Sequence, residues 1–203
     1  MNSEIATFRE GRLNEVVEIH LSAFANYFLS FLGPAFLREF YRSFLSDPWA
    51  IALLATDGGP EKRTLGFVVG TLEPAGFFRR LLIRRWWAFG FASIRALCLR
   101  PRIAPRLLRA LVYRGEVPPG LSRALLSSIA VTPEAQHDGI GRMLLAAWVD
   151  KVKSRGSQGC YLTTDAEDND AVNRFYQRAG WKVESILITP EGRKLNRYIM
   201  DFS

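Results

Sequence analysis

Cysteine and histidine are nearly missing from this 203-residue chain, which has two of each. Cys98 and Cys160 lie far apart, which argues against a disulfide framework and fits a reducing compartment, with cytoplasm as the default expectation. His20 and His137 are as widely separated, and neither C-x-x-C nor H-E-x-x-H occurs, so no metal site is expected. A serine-hydrolase elbow, G-x-S-x-G, is absent. So is the phosphate-loop pattern G-x-x-x-x-G-K-[ST]. No apolar run is long enough to span a bilayer. Met1-Asn2-Ser3-Glu4 has no basic region leading into an apolar one, so a secretory signal is not expected. Acidic residues are missing altogether from Phe77 to Gly115, where ten arginines stand: Arg79, Arg80, Arg84, Arg85, Arg95, Arg100, Arg102, Arg106, Arg109 and Arg114. That stretch carries about +10 of a net +7, leaving the remainder slightly acidic. Any basic surface therefore belongs to one segment, and this local charge does not make nucleic acid the expected partner of the whole chain.

What is present is a globular composition, 48% hydrophobic with both signs of charge, sized for a single domain over residues 1–203. A first strand is predicted at Ile5–Arg9, and the helical spacing of Leu13, Val16, Val17, His20, Leu21 and Phe24 follows it. Pro34 opens a second helix to about residue 46, with Phe36, Leu37, Phe40, Tyr41 and Phe44 on one face. Strands are predicted at Ala50–Thr56 and Thr64–Leu72, separated by Asp57-Gly58-Gly59-Pro60. The Arg-rich stretch, about 75–120, reads as helices interrupted near Pro101 and Pro105. Beyond it strands and helices alternate: strand 124–131, helix 139–155, strand 160–165, helix 171–179, and strands 181–188 and 194–202. Such alternation predicts a layered α/β (α+β) fold.

The most informative segment is Ser128-Ile-Ala-Val-Thr-Pro-Glu-Ala-Gln-His-Asp-Gly-Ile-Gly-Arg142, in which a strand ends and glycines open a helix. A helix start offers unpaired N–H groups and the positive end of the helix dipole, a natural seat for a phosphate. Gly139 and Gly141 allow close approach to the main chain. The third glycine of a dinucleotide fingerprint is replaced by Leu144. Glycines ahead of a helix also serve as caps, so the loop alone does not decide between packing and binding.

The stretch resembles the GNAT superfamily of N-acetyltransferases, whose pattern V-x-P followed by [RQ]-x-x-G-x-[GA] is matched by Val131, Pro133, Gln136, Gly139 and Gly141. A second block, Asn169-Asp-Ala-Val-Asn-Arg-Phe-Tyr-Gln-Arg-Ala-Gly-Trp181, resembles N-x-x-A-x-x-F-Y-x-x-x-G-F. The resemblance implies a GNAT fold: a mixed central sheet splayed between its fourth and fifth strands, flanked by helices, with the Arg-rich segment as a helical insertion before the fourth strand. It implies acetyl-CoA as cosubstrate. The main chain of Ile129, Ala130 and Val131 would pair with the pantetheine arm, and Gln136, His137, Asp138, Gly139, Ile140, Gly141 and Arg142 would cradle the pyrophosphate. Asn169 and Asn173 would hydrogen-bond the cofactor, and Tyr176 would sit beside the sulfur. His137 and Asp138 depart from the basic character usual in that loop, and Trp181 stands where phenylalanine is usual.

The implied reaction is direct attack of a neutral amine on the thioester, with a strand N–H at about Ala130 or Val131 stabilising the oxyanion and Tyr176 as general acid. Glu73 and Asp165 are candidate bases that also read as surface carboxylates, and His20 reads as a satisfied core histidine. Three acceptor readings stay open: a small amine such as an amino sugar or sugar nucleotide, whose phosphates would suit arginine; a protein or peptide N-terminus; or no acceptor, in a CoA-binding module that docks on membrane or nucleic acid through the Arg-Trp segment. A homodimer and peripheral membrane contact are compatible with each.

Overall fold

The computed structural model describes residues 3–25, 27–59, 62–77, 80 and 122–202. Apart from 75–77 and Arg80, the expected helical insertion lies outside the described residues. Strands β1 (Ser3–Thr7), β2 (Ala50–Asp57), β3 (Thr64–Thr71), β4 (Arg123–Val131), β5 (Gly159–Asp165), β6 (Lys182–Ile188) and β7 (Lys194–Asp201) form, among the described residues, one sheet in the order β1-β2-β3-β4-β5-β7-β6. Helices α1 (Leu13–Ala23), α2 (Phe28–Phe31) and α3 (Gly33–Ser46) precede β2; α4 (Ile140–Ser154) links β4 to β5, and α5 (Asp170–Arg178) links β5 to β6. The predicted mixed α/β architecture is therefore observed. Its first strand is shifted to Ser3–Thr7, and the one-turn α2 was not anticipated because its apolar residues are too few to show a period. Among the described residues no helix is long and apolar enough to cross a membrane.

Two cores flank the sheet. On one face the apolar stripes of α1 and α3 (Val16, Val17, Phe36, Leu37, Phe40, Tyr41) meet Leu54, Phe67, Val69 and Ala130. On the other, Ile140, Leu144, Trp148 and Val152 of α4 cover Leu53, Val68, Ala124 and Leu126. In β2, Leu54 belongs to the first core and Leu53 and Ala55 to the second, the two-residue alternation of a strand buried on both faces.

All ladders are antiparallel except one. β4 and β5 run parallel and pair only across Arg123–Leu125 with Gly159–Tyr161, although β4 continues to Val131 and β5 to Asp165. The paired end is fastened by the buried Arg123 guanidinium, whose Nε donates to Asp201 Oδ1 at 2.7 Å and whose Nη1 donates to Glu184 Oε1 at 2.9 Å. These bonds hold Arg123 charged and lower the Asp201 carboxyl below its ordinary range.

α4 packs so closely on the sheet that a Cβ at Gly70 would stand 2.4 Å from the Leu125 carbonyl oxygen and 2.4 Å from Cζ2 of the buried Trp148. Gly70→Ala should accordingly lower unfolding stability by about 1–3 kcal/mol, the usual cost of overpacking, measured by urea denaturation. Wild-type stability in that variant would show that the indole can move aside.

Candidate functional site

The opening between β4 and β5 begins where β4 carries one extra residue. Val69 pairs with Ser128 and Gly70 with Leu126, so Ser127 is left over as a bulge. An added residue reverses which side chains face which side of the sheet. Before it, Ala124 and Leu126 face α4; after it, Ala130 faces α1 and α3 while Ile129 and Val131 turn towards α4. Ser128, half-buried, shares the α1/α3 side with Ala130.

Main-chain direction follows the same alternation. The Thr132 N–H donates to the Leu65 carbonyl at 2.8 Å, so Thr132 and, two residues back, Ala130 direct their amides at β3. Ile129 and Val131 direct theirs to the side where β5 has parted. The expectation for Ala130 is corrected here: its N–H and C=O are used in the β3–β4 ladder, and the open positions are Ile129 and Val131.

Beyond Val131 a single 3₁₀ turn, Pro133–Ala135, leads to an exposed loop in which His137 (φ +72°) and Gly139 (φ +80°) are left-handed. Gly139 is the N-cap of α4 and supplies no side-chain cap, while its carbonyl accepts the Met143 N–H at 3.0 Å. The N–H groups of Ile140, Gly141 and Arg142 therefore have no partner among the described residues, and no acid occupies the first turn. Asp138 is exposed, as are Gln136, His137 and Arg142. A Cβ at Gly141 would meet Val131 Cγ2 at 3.7 Å and the Phe175 ring at 3.7 Å, so the α4 terminus, the β4 end and α5 converge there.

On α5, Tyr176 is buried among Trp181 (ring centroids 6.0 Å apart), Tyr198 (5.6 Å) and Phe175 (5.1 Å). Burial raises its phenol above the ordinary range, so it keeps its proton at neutral pH. Asn169 Nδ2 donates to Thr164 Oγ1 at 2.9 Å and to the Asp165 carbonyl at 3.1 Å. Asn173 is corrected as a cofactor ligand. Its Nδ2 donates to the Asp165 and Asn169 carbonyls, both at 3.0 Å, and its Oδ1 accepts from Asn196 and from the Tyr198 hydroxyl, both at 3.0 Å. An amide has two donors and two lone pairs, so Asn173 has no capacity left. It fastens α5 to β5 and β7.

Both candidate bases are ion-paired. Asp165 accepts from Arg193 Nη2 at both carboxylate oxygens, at 2.7 and 2.8 Å, and Glu73 accepts from Arg80 Nη1 at 2.7 Å. The Arg193 guanidinium also lies 5.7 Å from the ring centre of Tyr27, so the β6–β7 turn meets the stretch between α1 and α2. Neither Tyr27 nor Arg193 belongs to a recognisable motif, which is why the sequence alone does not single them out.

His20 is not a fully satisfied core histidine. Its Nδ1 is 2.5 Å from the Tyr41 hydroxyl, but its Nε2 has no partner among the described residues, and burial lowers the ring to about 4 from an ordinary 6.5. Tyr41 is fully buried, and burial raises its phenol well above the ordinary range.

The profile of the Acetyltransferase (GNAT) family matches residues 21–181. Similar solved structures include the ribosomal-protein-S18-alanine N-acetyltransferase from Escherichia coli, 16% identical with a TM-score of 0.61, covering 100% of this chain and 95% of that one. A spermidine N-acetyltransferase SpeG chimera from Vibrio cholerae and hSSAT is 14% identical with a TM-score of 0.64, covering 99% of this chain and 96% of the other. The NatC complex bound to Gag peptide and CoA is 14% identical with a TM-score of 0.58, over 100% of both chains. At these identities the likeness is one of fold. No curated protein sequence matches the chain.

Two outcomes follow from this geometry. Gly141→Val meets only ordinary contacts inside the protein but fills the space in front of the open N–H groups. It should stay folded and weaken acetyl-CoA binding about tenfold or more, near 1.4 kcal/mol, by calorimetric titration; unchanged affinity would place the phosphates elsewhere. His20 has a folded value depressed below its unfolded one. The unfolded chain thus binds more protons between pH 6.5 and about 4. Stability is full above that window and falls as pH drops through it, by up to about 3 kcal/mol. Urea unfolding of His20→Asn should show that much less acid dependence.

Proposed function

The chain belongs to the GNAT acetyltransferase family and is an N-acetyltransferase that uses acetyl-CoA; from this premise we propose that residues 1–203 act as one domain acetylating a primary amine on a small molecule such as an amino sugar or sugar nucleotide. The observation that carries the cofactor half of this reading is the uncapped α4 terminus beside the stretch of β4 that β5 leaves unpaired. Ile129 and Val131 would hydrogen-bond the pantetheine amides as a neighbouring strand would. The free N–H groups from Ile140 to Arg142, opposite the space at Gly139 and Gly141, would hold the pyrophosphate. Gln136, His137 and Asp138 would border it, with Asp138 in solvent, and Asn169, whose Nδ2 is engaged by Thr164 and Asp165, would accept from the cofactor through Oδ1.

Acetyl-CoA supplies the acyl group. The protein's share is to hold the thioester against the amine, worth several orders of magnitude if the geometry is close, and to offer a main-chain N–H of Ile129 or Val131 to the developing oxyanion. Tyr176, whose burial keeps it protonated, would give its proton to the departing thiolate. For the acceptor, the support is the local charge: ten arginines between Phe77 and Gly115, with aromatic residues among them, suit a phosphate-bearing molecule.

The deciding experiment is thiol release from acetyl-CoA with amino sugars, sugar nucleotides, polyamines and alanyl peptides. Turnover should be fastest on a phosphate-bearing amine and should fall when Arg79, Arg80, Arg84 and Arg85 become glutamine. A peptide turned over faster would assign a protein acceptor instead. Tyr176→Phe should lose turnover by roughly 10²-fold or more where chemistry limits the rate, with acetyl-CoA affinity retained; full turnover would remove Tyr176 from the acid role.

A further inference from the structure

The sheet ends at β6, and among the described residues nothing pairs with the outer side of that strand. Lys182 and Glu184 stand at its start, but the run Ser185-Ile186-Leu187-Ile188 has neither charge nor proline. Ile186 is 59% exposed, Ile188 71% and Val183 45%. Proteins usually blunt such an edge with charge, proline or a covering element, because an apolar strand with unpaired amides is a template for another strand.

The register of β6 on β7 decides which groups point outwards. The Thr189 N–H donates to the Arg193 carbonyl at 2.9 Å, so Leu187 and Ser185, two and four residues back, also turn their main-chain groups to β7. Ile186 and Ile188 turn theirs out of the sheet. Their side chains share one face with Val183. Ile186 pairs with Asn196, Ile188 with Lys194 and Val183 with Tyr198, and both Asn196 and Tyr198 are bonded to Asn173 on α5. The three exposed apolar residues thus form a stripe on the α5 side of the edge, while Leu187 faces the opposite side.

We propose that β6 pairs antiparallel with β6 of a second copy of this chain, about a two-fold axis at Leu187, so that two sheets become one. The strand is self-complementary in that register. Ile186 stands opposite Ile188 of the second copy, and Ile188 opposite its Ile186. These are the residues whose N–H and C=O point outwards, so both exchange hydrogen bonds, and isoleucine lies beside isoleucine on the α5 side. Neighbouring registers lose this match. An axis at Ile188 sets Ile186 against Pro190, which has no N–H. An axis at Ile186 sets Ile188 against Glu184, the extra residue at which β6 bulges from its ladder. Charge favours the axis at Leu187 as well, because Lys182 then comes against the turn that carries Glu191 in the second copy, twice by symmetry. The inference is independent of the acetyl acceptor.

A contact confined to one strand is smaller than the roughly 1,200–2,000 Å² of stable complexes, so the dimer should dissociate in the micromolar range. Sedimentation velocity of the full chain from about 1 to 300 µM should show a monomer–dimer equilibrium. Changing Ile186 and Ile188 together to lysine sets like charges against each other across the axis. That variant should weaken the dimer tenfold or more at an unchanged melting temperature, both side chains being exposed. Leu187→Cys in a Cys98→Ser background should close a disulfide between copies on mild oxidation, since the central pair is the close kind, with Cα atoms about 4.5 Å apart. Ser185→Cys, which faces Thr189 of the second copy, should not. A wild-type chain that stays monomeric throughout overturns the proposal, whether or not it captures an extended peptide at this edge. So does a dimer indifferent to the lysines, or cross-linking through position 185 as fast as through 187.

Discussion

The parallel ladder between β4 and β5 stops after three residue pairs, and most of what is distinctive in this molecule depends on that early stop. Up to Leu125 the sheet is continuous and is fastened by Arg123 to Asp201 and Glu184. At Ser127 the extra residue bends β4 and reverses its faces. From there to Val131 the strand is bonded on one side only. An unpaired strand edge inside a fold is normally a liability, because main-chain groups left dry cost free energy. Here the edge left by the short ladder lies where α5 and the start of α4 converge on the end of β4.

Much of this was legible beforehand. The strands and long helices follow from apolar periodicity, and the observed bounds differ from the predicted ones by a residue or two after β1. The glycine pair at the start of α4 and the Asn169-to-Trp181 block carry the family resemblance in short local patterns. A bulge leaves no such trace. Ser127-Ser128 looks like two polar positions in an apolar strand, and simple alternation would have put Ser128 on the α4 face and treated Ala130 like its neighbours. Asn173 shows the opposite problem. Its place in a motif suggests a ligand, whereas its four hydrogen bonds within the protein show it to be a tie between α5, β5 and β7. Whether a polar side chain is free to bind is a property of its neighbours, which the chain's order does not reveal.

Charge is distributed with similar economy. Among the described residues Arg193 pairs with Asp165 at the open strand ends, while Arg80 pairs with Asp47 and Glu73 beside the opposite, paired end of β4. The carboxylates that sequence inspection offers as bases are thus already engaged. Tyr176 and the main-chain amides at the end of β4 and the start of α4 take no part in these pairs. That suits a reaction whose central events are the loss of one proton and the gain of another around a neutral thioester.

The same short ladder divides the sheet by origin. β1 to β4 form one antiparallel unit and β5, β6 and β7 another, and each contains a hairpin or near neighbour that can zip from its own turn. Joining them requires the crossover through α4 and wins only three parallel pairs, so loop-closure entropy is spent for little immediate bonding. Assembly of the chain should therefore proceed through two separately nucleated halves whose meeting is late. The gap that defines the molecule would be the last part to take shape, and the first to be lost when the halves come apart.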